Sequence, residues 1–510
     1  MTLYLMKIIT GLWLSGIILC LGGAVRAQSY AETALLFSRT APGGTARIQA
    51  MGGAQVSLGG DISLVASNPA GLGMYNRSEV TLTLGTLATK NTADYFDNRT
   101  QTNQSRFNIP SFGLAFSSSK QGAVVNGTFG VSFTRLNDFN SRMVYSGQNP
   151  NSSLIDYFIE DATGQPPTQF SFPAPAGVRD NSNSLTRLAY DNYLIGEASI
   201  LSPPGPDTEY FTDIQGIPLQ QEEIQTQGGQ NQWSFGYGVN LKDRVFLGGS
   251  LGIVSLTYES QKTFREDFVN EPLGFFELRE NLDIRGSGVN INFGAIARPV
   301  DFIQVGLSFS TPTWYSLSEN YNASMSSQWK NFEYLPGLFL NNESSELDPI
   351  FTDYSLQSPW RLRVGSSFFI GKSGFVTLDV EQVNFAKAKY SSNTLGVDFS
   401  ADNDDVRNAY HSTTTIRAGG EFRHEKFRLR AGYFYMPDPY RNEQNGMNQK
   451  RTGFTGGIGY RSSPVYVDLA AVFSQQSFGY RPYTVNLPTN PLATIGQSGT
   501  QIMVTVGYTF

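Results

Sequence analysis

Residues 501–510, QIMVTVGYTF, put Ile502, Val504, Val506, Tyr508 and Phe510 on one parity, and Gln501, Thr505, Gly507 and Thr509 on the other, with Met503 the one exception. Successive side chains of a β-strand point to opposite faces, so a period of two marks a strand with one apolar face and one polar or small face. Taken alone, this stretch fits a half-buried strand of a soluble sandwich as well as a wall strand of a barrel.

The same alternation recurs along the chain. Val80, Leu82 and Leu84 alternate with Thr81 and Thr83. Trp233, Phe235, Tyr237, Val239 and Leu241 alternate with Ser234, Gly236, Gly238 and Asn240. Fourteen such segments are expected, over 78–89, 107–118, 122–136, 231–241, 245–260, 275–298, 302–311, 354–370, 374–390, 411–423, 426–436, 450–461, 464–475 and 500–510. Alternate connections are tight: Ser119-Lys120-Gln121-Gly122, Lys242-Asp243-Arg244, Pro299-Val300-Asp301, Gly371-Lys372-Ser373, His424-Glu425 and Ser462-Ser463. The others are long, at 137–230, 312–353, 391–410, 437–449 and 476–499, with shorter ones at 90–106 and 261–274. An even strand number, short turns at one end and long loops at the other are the arrangement of a bacterial outer-membrane barrel. Phe510 ends an alternating strand on an aromatic residue, which resembles the signal read by the barrel assembly machinery. The expected fold is all-β: a 14-stranded antiparallel transmembrane barrel.

Composition agrees. Charged residues make up 16% of the 510, below the usual ~25%, while aromatics reach 13% and glycines number 52. A mean hydropathy of -0.24 excludes a helical membrane protein. Past the first residues there is no apolar run near the ~18 residues that a spanning helix needs, so a membrane form must be a closed barrel. A net charge of -6 argues against nucleic-acid binding. Residues 1–27 read as a secretory signal: Lys7, an apolar run, then Val25-Arg26-Ala27 before Gln28. An uncleaved anchor helix is the alternative. Cys20, the only cysteine, lies inside that signal, so disulfides and thiolate metal sites are excluded from the mature chain.

Charges sit on the non-lipid parity: Arg361 and Arg363, Asp379 and Glu381, Arg417 and Glu421, Arg428 and Arg430. An Arg or Lys on the lipid side near the midplane costs ~2–4 kcal/mol, so these eight are expected to face the lumen and pair across neighbouring strands. Residues 28–77 lack the alternation and carry the glycine pairs Gly43-Gly44, Gly52-Gly53 and Gly59-Gly60 and the turn signal Asn68-Pro69-Ala70-Gly71-Leu72. Such a segment is expected to fold inside the lumen as a plug, with an ordinary periplasmic extension as the alternative.

Gly44-Thr45-Ala46-Arg47, Met51-Gly52-Gly53-Ala54, Gly60-Asp61-Ile62-Ser63 and Asn68-Pro69-Ala70-Gly71-Leu72 together resemble the amino-terminal hatch of the FadL family, outer-membrane channels for long-chain fatty acids and other hydrophobic compounds. Pro299-Val300-Asp301-Phe302, the stretch Val305 to Pro312, and Ser358-Pro359-Trp360-Arg361-Leu362 look like later strands of the same family, nearest its Bacteroidota branch. The resemblance implies a hatch at 28–77 that includes Gly52, Gly53, Asn68, Pro69, Ala70 and Gly71, a barrel over 78–510, and a hydrophobic small-molecule or lipid ligand. It also implies lateral release through the wall at a kink in the third strand, for which Asn126-Gly127 is the candidate. An ordinary glycine beside a closely packed hatch is the alternative there.

Apolar residues in the long loops, Leu154 and Phe158 in one and Phe332, Leu335 and Phe339 in another, are candidates for ligand capture, or for packing against the rim. Catalysis is not expected. His411 and His424 have no ligand-spaced histidine or cysteine beside them, and Asp402, Asp404 and Asp405 do not follow a calcium-loop spacing. No cofactor is expected. A scaffold or shuttle in an envelope assembly or secretion complex is the alternative function; a polar-solute porin fits a plugged lumen poorly.

Overall fold

The computed structural model describes residues 29–40, 43–119, 123–170, 181–197, 208–394, 396–488 and 490–510. The signal segment, Cys20 and part of the turn at 119–122 lie outside the described residues. Fourteen strands form one closed wall. They are β1 (Glu79–Tyr95), β2 (Asn98–Ser119), β3 (Val124–Asp138, resuming as Ser141–Gln148), β4 (Leu219–Leu241), β5 (Val245–Asp267), β6 (Leu273–Val300), β7 (Ile303–Ser310, resuming as Trp314–Leu335), β8 (Leu338–Glu346, Ile350–Gln357 and Arg361–Ile370), β9 (Gly374–Asn384), β10 (Ser412–His424), β11 (Phe427–Met436), β12 (Arg451–Ser462), β13 (Val465–Tyr480) and β14 (Ala493–Thr509). Each pairs antiparallel with its sequence neighbours, and β14 returns to β1 from Glu79↔Thr509 to Tyr95↔Ala493, which closes the ring. The expected fold class and strand number hold.

Parity behaves as alternation requires, with the usual inside and outside exchanged. On β1 and β14, Leu82, Leu84, Val504, Val506 and Tyr508 are exposed, while Thr81, Thr83 and Thr505 are buried. Trp233, Phe235 and Tyr237 of β4 are exposed, and Ser234 is buried. A continuous outer belt of large apolar side chains far exceeds what a water-soluble monomer shows and matches contact with acyl chains.

Several stretches expected as loops are strand. β1 and β2 continue to a two-residue turn at Phe96-Asp97, and β7 and β8 to one at Pro336-Gly337. β6, expected as a strand over 275–298, runs for 28 residues, far beyond the ~9–11 that cross a bilayer. The reason is that the outer face leaves the apolar belt, as at Lys90, Thr92 and Asp94 on the outward parity of β1. In 89–92 and 98–105 both parities are polar, so the period-two signal is gone there while the backbone pairing persists. The region expected as a loop at 391–410 contains a helix over Ser400–Ala409, which takes in the Asp402, Asp404 and Asp405 stretch.

Ahead of β1 come three short helices, α1 (Tyr30–Ser38), α2 (Ala46–Gln49) and α3 (Leu64–Ser67), and a 3-10 turn over Pro69–Met74. Ser29 caps α1 through its hydroxyl, and Asn68 caps the 3-10 turn, with Pro69 at its first position. This segment bonds to strands all around the ring. Ala46 N donates to Thr505 Oγ1 of β14 at 2.8 Å, Gly52 N to Thr455 Oγ1 of β12 at 2.9 Å, and Ser57 shares a hydroxyl bond of 2.6 Å with Ser367 of β8. It therefore fills the bore. Glycines in the wall admit it: a Cβ at Gly432 would lie 2.3 Å from Gly52 N, and one at Gly248 would lie 2.4 Å from the Pro69 carbonyl oxygen.

Candidate ligand passage

Inside the wall, the charges gather into two networks. In the first, Glu381 accepts from Arg363 Nε at 2.5 Å and Arg417 Nη2 at 3.2 Å, with Arg361 3.7 Å away. Beside it, Asp379 Oδ2 accepts the backbone N–H groups of Gln55 and Val56 at 2.6 and 2.9 Å, so a wall carboxylate holds the plug directly. In the second, Arg430 bridges Glu421 and Asp468, each at 2.7 Å. Arg423 and Arg461 add outer contacts, and Arg47 of the plug lies 3.8 Å from Glu421. Arg428 stands apart: it is part-exposed at the turn and donates to the carbonyls of Glu425 and Phe427. Seven of the eight charges thus meet partners of opposite sign or the plug backbone. Paired in this way, they hold the wall and its contents together. Asp468 belongs to the second network although the sequence reading did not single it out, and Arg47 and Asp61, quoted there only within the plug motifs, lie 3.7 Å apart beside it. Asp468 shows its place by parity, lying between the outward Val467 and Leu469.

The six hatch residues all line the bore. Gly52 and Gly53 make a turn with φ of +70° and +79° against β10–β12, where only glycine fits without strain. Asn68 is fully buried, and its Nδ2 donates to the Val56 carbonyl at 2.6 Å. Pro69, Ala70 and Gly71 are buried against β4–β6.

Asn126 and Gly127 are paired on both sides, beside a register shift between Val124 and Asn126 in the ladder with β4. Gly127 pairs with Ser118 on one side and Val239 on the other, and Asn126 Nδ2 donates to the carbonyl of Tyr75. The third strand breaks higher up. Its ladder with β2 stops at Ser111↔Thr134. Its ladder with β4 shifts register between Arg135 and Asn137, and the strand lapses at Phe139-Asn140. Beyond that point, contact with β1 and β2 is made by side chains: Asn91 Nδ2 and Thr102 Oγ1 both donate to the Arg142 carbonyl, at 2.7 and 2.6 Å. Among the described residues, no backbone pairing joins Phe107–Pro110 of β2 to Arg135–Asn140 of β3. Pro110 was the available signal. Proline has no N–H to give a ladder, and within a sheet it marks an edge or a bulge. Across the break, Asn108 Nδ2 reaches Asp138 Oδ2 at 3.4 Å, and Arg135 Nε lies 3.1 Å from the same oxygen.

Behind this break is a cavity of about 150 Å³, bounded by the plug at Gly43, Gly44, Gln49 and Gly52 and by the wall at Leu87, Leu136, Phe434, Met436 and Met503. Toward the long-loop end the bore holds the chain's own apolar groups. Phe37 of α1 packs against Phe139 and Tyr258, and Tyr30 against Tyr354, Tyr390 and Phe399. Above α1 lies a polar cavity of about 330 Å³ whose lining includes Glu32, Glu222, Lys262, Glu280 and Tyr480.

The long loop after β3 folds over the top as two helices, α4 (Leu154–Ala162) and α5 (Leu185–Asp191). Leu154 and Phe158 are buried there, in a cluster with Leu188, Phe276 and Trp329. Burial raises the Asp191 carboxyl above its ordinary value, although Arg187 pairs with it at 2.5 Å. Phe332 stacks on Trp329 at 5.5 Å, whereas Leu335 and Phe339 stand exposed at the β7–β8 tip. The five loop candidates therefore divide between an interior cap and an open edge.

No protein-family profile matches the chain, and no curated protein matches it in sequence. Solved structures do match. The crystal structure of a Pseudomonas aeruginosa FadL homologue is similar at 12% identity, covering 92% of this chain and 99% of that one, with a TM-score of 0.54. That of the Pseudomonas putida toluene transporter TodX is similar at 13% identity, covering 93% and 100%, with a TM-score of 0.51. Over nearly its whole length, the chain shares the fold of the FadL homologue and of TodX.

Proposed function

We propose that the protein is a bacterial outer-membrane channel for passive passage of hydrophobic compounds, which leave the bore sideways between β2 and β3. The observation that carries this reading is the unpaired stretch of wall between Phe107–Pro110 and Arg135–Asn140, at the level of the plug and with a cavity directly behind it. In this reading, residues 1–27 are a cleaved signal, 28–77 the hatch and 78–510 the barrel. The short turns face the periplasm, and Phe510 is presented to the barrel assembly machinery. The opening lies at the break in β3 rather than at Asn126-Gly127. Leu335 and Phe339 offer the first apolar contact outside, while Leu154 and Phe158 hold the cap in place.

The physics favours such a route. An apolar solute loses ~0.8 kcal/mol for each methylene returned to water, so a sideways exit into lipid avoids the step that a water-filled pore would impose. The hatch blocks the straight path, and the apolar outer belt sets the exit in contact with acyl chains. The likeness to TodX, a toluene transporter by its description, supports the reading.

Reconstitution of the purified chain in liposomes with an environment-sensitive hydrophobic dye tests it. Saturable, protein-dependent acceleration of dye transfer without ion conductance is expected. A steady ionic current would mark an open porin instead. Absence of transfer, with stoichiometric co-purification of other envelope proteins, would favour the scaffold reading.

A further inference from the structure

We propose that Arg451 makes the cavity behind the wall break a recognition site for a compact organic anion, an amphiphile with a ring-sized apolar body and one carboxylate. This rests on the passage reading above and narrows its substrate class. Arg451 begins β12 on the inward parity and lines the cavity. Among the described residues, no carboxylate lies within 4 Å of it, and its one hydrogen bond is a long contact of 3.4 Å from Nη2 to Ser474 Oγ. The other charges on this cavity, Arg135 and Asp138, neutralise each other at 3.1 Å. The lining therefore carries one net positive charge with unused donors. In the two lumenal networks each arginine has a carboxylate of Glu381, Glu421 or Asp468 within 4 Å, which Arg451 lacks. A guanidinium withdrawn from bulk water without a counter-ion is costly, and its planar fork fits a carboxylate through two parallel bonds.

The remaining wall is apolar: Leu87, Leu136, Phe434, Met436, Val472 and Met503. That gives the occupant a greasy body beside its charged end. The volume sets its length. A protein cavity of about 150 Å³ holds one benzene, so a ring or a short branched chain fills the space beside Arg451.

Equilibrium binding to the full chain in lipid nanodiscs tests this, with benzoate, its neutral isostere benzamide, and palmitate as probes. Benzoate is expected to bind one saturable site at least tenfold more tightly than benzamide and more tightly than palmitate. Arg451→Gln is expected to weaken benzoate at least tenfold and leave benzamide unchanged, and Arg451→Lys to fall between. Equal affinity of the native chain for benzoate and benzamide, or benzoate binding unmoved by Arg451→Gln, overturns the proposal. The comparison on the native chain decides the matter even where a variant fails to give the heat-modifiable gel mobility of a folded barrel. Transfer of the neutral dye in liposomes separates the two readings. Dye transfer without benzoate selectivity ends this proposal and leaves the passage standing, and absence of both ends both.

Discussion

Arg430 sits between two carboxylates with its guanidinium fully enclosed, whereas Arg428, two residues earlier on the same face, reaches only turn carbonyls and water. The contrast has a measurable consequence. Arg430→Met removes the one cation shared by Glu421 and Asp468 and leaves each only its outer arginine, Arg423 or Arg461, a loss of about 3–5 kcal/mol for breaking a buried pair. The midpoint of heat-induced loss of the folded gel band is expected to fall clearly for this variant. For Arg428→Met it is expected to stay close to the native value, since exposed charges contribute about 0–1 kcal/mol. Parity sufficed to send these side chains inward. It did not say how far along the strand each one lay, and that distance from the turn separates Arg428 from the rest. Arg451 illustrates the opposite gap: alternation places it inward, but only the fold reveals that no acid stands near it.

The hatch fits the bore because the wall is notched. Gly248, Gly306, Gly419 and Gly432 each meet plug backbone so closely that a Cβ would overlap it. Gly432→Val is expected to lift the Gly52 turn off β11, an overpacking cost of about 1–3 kcal/mol. Hydrogen exchange should report faster exchange at residues 50–56 and unchanged protection in β13 and β14; unaltered exchange at 50–56 would contradict this fit. The glycine-rich plug and its turn signals were legible in the sequence, because Gly52, Gly53 and Asn68-Pro69 carry local conformational meaning. The glycines of the wall were visible only as small members of an alternating pattern, since nothing local tells which of them faces a plug. The third strand shows the same limit. Asn126-Gly127 has the composition of a break, yet its neighbours bridge it, while the actual break follows from Pro110 on the adjacent strand. An interruption in a sheet belongs to two strands at once.

At the scale of the whole molecule, the barrel is recognisable from sequence because contact with lipid on one face and a small-residue interior on the other impose a rule on every wall strand within the belt. That rule lapses above the belt, which is why the tall β7–β8 extension was read as loop, and why the apolar interior occupied by α1 left no periodic trace. The central claim is that the path out runs through the wall between β2 and β3. Its direct test uses the fact that Cys20 is the only cysteine: Asn108→Cys with Asp138→Cys places two thiols across the break, where the native side chains approach to 3.4 Å. Dye transfer in liposomes should stop when this pair is oxidised and return on reduction, with Gly127→Val transferring at the native rate. Transfer that continues undiminished through the oxidised, cross-linked barrel would contradict the claim.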